Sequence, residues 1–151
     1  HYNPDVKRRG TISEEFKVSS DYIKLMEQLQ VAMRTEIAEM HIAIETNPTS
    51  NLKIGDFDRY VEHPITKFYN TELEIDHQKL KACAQISTSI NTDDLGVFDT
   101  NLENEYALMA IALEKEKDEN GNPKYCSRQI YNWLESIRQM GEEQRFLRLY
   151  E

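Results

Sequence analysis

The chain has 151 residues, 39% hydrophobic and 30% charged, and its 27 acidic residues against 18 basic ones give a formal net charge of −9. That length suits one domain burying roughly 70% of the surface its unfolded form exposes, and five Gly with four Pro are too few for a long disordered linker. Each third of the chain holds more acid than base, which disfavours nucleic acid and anionic membranes, because phosphates are neutralised by clustered Lys and Arg.

Residues 1–151 read as a single domain, with 1–18 an extended or flexible arm. Beyond it Tyr22, Met26, Leu29, Met33, Ile37, Met40 and Ile44 recur at spacings of three and four, the mark of a long amphipathic helix. Ser19 and Ser20 can cap its start, and "TNPTS" stops it. A short helix follows in "NLKIGDFDRYVEH", where Ile54, Phe57 and Val61 share a face. His63-Pro64 is a boundary, since the residue before proline avoids the helical region while proline suits a first turn.

From Pro64 the spacing of Ile65, Phe68, Tyr69, Leu73, Leu80, Cys83, Ile86 and Ile90 predicts a second long helix, ended by "STSINTDDLG". "QISTSI" has strand composition, but a lone strand has nothing to pair with. Thr100-Asn101-Leu102-Glu103 has the form of a capping box ahead of a third stripe, Leu102, Tyr106, Met109 and Leu113. Gly121 and Pro123 stop the charged run "EKEKDENGNP". Ser127 caps a fourth helix carrying Ile130, Trp133, Leu134, Ile137 and Met140, and a last short helix holds Phe146 and Leu149. The fold class expected is all-α: an antiparallel bundle of four main helices with one or two short extra ones.

Three constellations bear on chemistry. Glu74-Ile75-Asp76-His77 has Glu-x-x-His spacing, with Glu36 and Glu39 on the first long helix, His41 close by, and Glu103 and Glu105 on a third. The set resembles one half of the ferritin-like di-iron bundles, which implies metal ligation by Glu36, Glu39, Glu74 and His77, although the second Glu-x-x-His motif is missing. "DHQKLKACAQIS" resembles the helix of histidine phosphotransfer domains, but Lys81 stands one place late, about 100° around the helix. "CSRQIYNWL" resembles the start of a recognition helix in helix-turn-helix proteins, with Arg128, Gln129 and Asn132 suited to base edges or phosphates; the charged segment before it is long for that motif.

Other signals are weaker. Glu36-x-x-Glu39 resembles the carboxylate motif of all-α nucleotide pyrophosphatases, yet the Glu-x-x-Asp of the following helix is absent. Cys83 and Cys126 sit in no CxxC pattern and read as small buried apolar residues. No glycine-rich phosphate loop or triad is present.

With each catalytic pattern incomplete, the sequence reads as a non-enzymatic, acidic helical interaction module: an adaptor, an assembly subunit, or an inhibitor or immunity-type protein. A helix-turn-helix-like nucleic-acid binder using 127–140 is the alternative, and a carboxylate/His metal bundle the second. No cofactor is expected. The partner would be a protein with a basic surface, steered by charge, or a second copy. Tyr2, Tyr60, Tyr125, Arg128, Gln129, Tyr131 and Asn132 are the candidate contacts, and the location expected is intracellular (cytoplasmic), from two dispersed cysteines.

Overall fold

The computed structural model describes residues 3–13 and 17–145. Tyr2 and the expected helix around Phe146 and Leu149 lie outside them. The chain divides into two compact units, residues 1–31 and 32–151.

The first unit holds helix α1 (Pro4–Gly10), which Asn3 caps through its side chain, where an extended or flexible arm was expected. It also holds the start of α2 (Ser20–Glu39), where Ser19 Oγ accepts the backbone N–H of Tyr22 at 3.1 Å. Helix α2 stops five residues before Ile44. His41 takes a left-handed backbone, φ 53°, the N–H of Ile42 reaches the carbonyl of Ile37 at 3.1 Å, and that of His41 reaches Ala38 at 3.0 Å. This is a Schellman stop built on histidine instead of glycine. No residue of α2 is buried, which removes the expected first wall of a bundle.

Freed from the helix, Ile44–Thr46 forms strand β1. It pairs in parallel with β2 (Thr88–Ile90), Ile44 opposite Thr88 and Thr46 opposite Ile90. The segment with strand composition but no evident partner in the sequence therefore has one 44 residues upstream. All of β2 is buried, as a strand covered on both faces requires.

The expected helix from Pro64 to Ile90 is broken into pieces. After α3 (Pro48–Ile54) and a 3-10 turn, Tyr60–Glu62, come α4 (Ile65–Phe68) and α5 (His77–Ala82). Gln85, at φ 53°, pins the turn between the last two. Its Oε1 accepts from the N–H groups of Asn70 and Thr71, and its Nε2 donates to Asn70 Oδ1 and the Leu80 carbonyl.

Beyond β2 lie α6 (Leu95–Phe98), α7 (Leu102–Lys115) and α8 (Ser127–Glu143). The cap of α7 is Asn101, whose side chain accepts from Asn104 N at 2.9 Å, not Thr100. Helix α8 is capped by exposed Cys126, not Ser127, and runs through Gly141, where an added Cβ would stand 3.3 Å from Ser89 Cβ. Cys83 is half-buried, so neither cysteine is the buried core residue expected.

Ile65, Leu73, Ile90, Met109, Ile130 and Trp133 form the core with their neighbours on α7 and α8, each large side chain contributing about 1.5–3 kcal/mol by leaving water. The Trp133 indole N–H donates to the Tyr69 carbonyl at 3.0 Å, so the ring enters the core without an orphaned donor. The order is strand, helices, strand, helices around a parallel pair, which corrects the all-α bundle to an α/β arrangement. No described helix is long and apolar enough to cross a membrane.

Candidate active site at the strand ends

In parallel α/β folds, binding groups gather where the chain leaves the carboxyl ends of the strands, because there the loops converge and backbone groups are free of the ladder. Here β1 leads into Asn47-Pro48-Thr49-Ser50-Asn51 and β2 into Asn91-Thr92-Asp93-Asp94. The two exits are sewn together: Asn91 N donates to the Thr46 carbonyl at 2.8 Å, and Thr46 Oγ1 to the Ser89 carbonyl at 2.7 Å.

Asp93 is the most distinctive residue of this edge. Its backbone sits at φ 58°, a left-handed conformation that costs a non-glycine residue about 1–2 kcal/mol. The exposed carboxylate is held from below by buried Ser50, whose hydroxyl donates to Asp93 Oδ2 at 2.8 Å. Asp94, next in the chain, turns the other way and caps α6, accepting from Gly96 N and Val97 N at 2.9 and 3.2 Å. Two neighbouring carboxylates thus have separate tasks, one structural and one presented outward. Beside them Asn47 Oδ1 is buried without a hydrogen-bond partner, which leaves an acceptor in want of a donor.

Behind the exits, Asn51 Oδ1 receives both Asn47 N at 3.1 Å and His63 Nε2 at 2.9 Å, while His63 Nδ1 accepts from Ile65 N at 3.2 Å. That pattern needs a neutral imidazole. Burial pushes His63 down to about 4, against a smaller upward pull from Glu105. His63 lines a cavity of about 360 Å³ with Thr46, Asn51, Phe57 and Phe68.

The residues expected from sequence to bind do not converge. Glu36 and Glu39 are on α2. Glu74 lies in the turn before α5 and accepts from Ile75 N and Asp76 N, and Asp76 caps the helix. Glu74 and exposed His77 are therefore not on one helical face as their spacing implied. Among the described residues no group of three or more His, Cys, Asp or Glu could hold a metal. Of the expected contact residues, Tyr60 bonds Thr49 Oγ1 at 2.9 Å and Tyr125 is half-buried against the core. Gln129 caps α8 and reaches the Leu73 carbonyl, and Asn132 reaches Glu72 at 3.3 Å. Arg128 and Tyr131 are exposed on α8.

A family model for adenosine deaminase matches residues 23–122, more than half of the chain, and the chain belongs to that family. Aminodeoxyfutalosine deaminase of Streptomyces avermitilis is 34% identical over 85 residues, 56% of this chain and 20% of that protein. The same-named protein of Streptomyces coelicolor is 35% identical over 77 residues, 51% and 16%. That of Acidothermus cellulolyticus is 32% identical over 79 residues, 52% and 18%. The chain thus spans about a fifth of the length of the curated relatives it matches. No solved structure matches it. The family points to an α/β barrel, in which β1 and β2 are neighbouring parallel strands. Membership in a family of enzymes overturns the non-enzymatic interaction module, and neither the helix-turn-helix nor the metal-bundle alternative finds support.

Proposed function

We propose, from membership in the adenosine deaminase family, that this chain carries two adjacent strand ends of a barrel that removes an amino group hydrolytically from an amino-substituted nucleoside or nucleoside-like compound. In that reaction water bonds through its oxygen to the ring carbon bearing the amino group, the water's proton passes to a base, and the nitrogen takes up a proton and leaves as ammonia. Asp93 is the base in this reading. The observation that carries it is an outward-facing carboxylate at a strand exit, in a strained left-handed backbone and oriented by the buried Ser50 hydroxyl. Strain of this kind persists only where surrounding structure enforces it, and barrel enzymes place reacting groups at such exits.

Ammonia release by the full-length protein, with adenosine and with aminodeoxyfutalosine as substrates, tests the reading. Asp93→Asn keeps an oxygen for Ser50 but loses the base, and should lower kcat/KM by on the order of 10²–10⁴. Equal rates in the variant and the parent would remove Asp93 from the chemistry. Absence of ammonia from both compounds would remove the substrate class.

The two free cysteines support an intracellular setting. A net charge of −9 favours a basic-surfaced protein over nucleic acid as any further partner, with Tyr131 its exposed candidate contact on α8; a second copy seated there would appear as a dimer on a sizing column.

A further inference from the structure

We infer that Glu105 is a positioning residue that clamps the segments leaving both strands, and so fixes where Asp93 stands. The inference rests on the deaminase reading for its catalytic consequence and on geometry for the clamp itself. Glu105 lies in the first turn of α7 and is completely buried. Its Oε2 accepts the backbone N–H of Thr49 at 2.9 Å, and its Oε1 accepts the hydroxyl of Thr100 at 2.5 Å. Thr49 directly precedes Ser50, the residue that holds Asp93. Thr100 directly follows the stretch that begins with Asp93 and runs through the α6 cap. One side chain therefore ties the exit of β1 to the exit of β2, at positions 56 and 5 residues away in sequence.

Stability alone is a poor reason for a carboxyl group in this position. Taking such a group out of water costs several kcal/mol unless its oxygens are matched by donors, and a well-packed apolar side chain of similar volume is often as good or better for stability. An apolar residue would fill the space, but it would leave the Thr49 N–H and the Thr100 hydroxyl without this acceptor. What the carboxyl group adds is a fixed spacing between the Ser50 hydroxyl and the backbone that carries Asp93. Thr49 is further fixed by its own hydroxyl, 2.9 Å from the Tyr60 phenol oxygen. The first turn of α3 is thus held from two sides, and Ser50 has little freedom to swing.

The test uses the full-length protein and three variants. Glu105→Leu keeps roughly the volume but removes both acceptors, so the bonds from the Thr49 N–H and the Thr100 hydroxyl are both lost. The expected result is a fall in kcat of roughly 10–100-fold, the usual scale for groups that orient a reacting residue, with a smaller change in KM. Combined with Ser50→Ala it should add little to the worse single variant, since both act through one carboxylate. Amide hydrogen exchange should quicken in both 47–51 and 91–100. An unchanged kcat alongside a lowered melting temperature, or losses that multiply in the double variant, would overturn the inference. Should Glu105→Leu fold poorly, Thr100→Val removes only the hydroxyl donor, and a smaller loss of the same kind is expected. A parent protein that releases no ammonia would sink the deaminase reading instead; exchange then decides alone, with faster exchange in both segments upholding the clamp and no change in either overturning it.

Discussion

The α7–α8 side of the molecule and the strand ends are built on opposite terms. Around Trp133 the buried groups are apolar, the backbone is helical, and the one polar atom of the indole has its partner. Around Asp93 the chain is left-handed, buried Ser50 and Glu105 take the place of oil, and Asn47 Oδ1 lacks a partner. A region that only needs to be stable satisfies every local rule, whereas one that must present chemistry breaks several and is held in place by its surroundings. Under the deaminase reading, the contrast directs the search for function to the irregular polar exits and not to the well-formed helices.

The largest effect that would break the contrast is at the core. Trp133→Ala should cost on the order of 3–5 kcal/mol in urea denaturation, and a loss below about 1 kcal/mol would mean the helical side is not the foundation described. Next comes acid. The folded state holds His63 down at about 4 from an ordinary 6.5, so between those values the unfolded chain binds the extra proton. The stability tied to a neutral His63 is whole above about pH 6.5 and lost as pH falls toward 4. At about 1.4 kcal/mol per pH unit, the loss is on the order of 3 kcal/mol. His63→Gln should flatten that slope, and an unchanged slope would place the proton elsewhere. Asn101→Ala removes the cap of α7 and should cost about 1 kcal/mol; no change would mean the first turn is held by Glu105 alone. The smallest effect is on the stability of Asp93→Asn, which should stay within about 0.5 kcal/mol, because Asn tolerates the left-handed region and still accepts from Ser50. A large loss would show that Asp93 is structural after all and blur the two regions into one.

Legibility in the sequence follows the same divide. Helices α7 and α8 and the buried Trp133 were readable, since apolar residues three and four apart have one natural interpretation. Helix α2 was readable in its body but not at its end: Ile44 continues the helical spacing by coincidence, and a histidine in the left-handed position gives no glycine to mark the stop. Both segments that form the site, "TNPTS" and "STSINTDDLG", read as helix stops. Thr88-Ser89-Ile90, with two β-branched residues, has strand composition, but strands this short carry no periodicity, and a parallel partner 44 residues away leaves no hairpin turn to announce it. The sequence does carry one signal: Ile44-Glu45-Thr46-Asn47 and Thr88-Ser89-Ile90-Asn91 are each a short β-prone run closed by asparagine, and Thr92 leads from the second into Asp93-Asp94. Glu105 reads from the sequence only as a possible metal ligand on the third helix, because a buried acid bonded to a backbone N–H is the rarest reading of a glutamate on a helix.

The chain has a single tryptophan, and its ring is sealed from water with its N–H engaged to Tyr69. Its ultraviolet emission should therefore be blue-shifted, giving the protein an internal optical gauge of the helical side. Substitutions at the strand exits that silence ammonia release while leaving that emission unmoved would separate lost chemistry from lost folding in one cuvette.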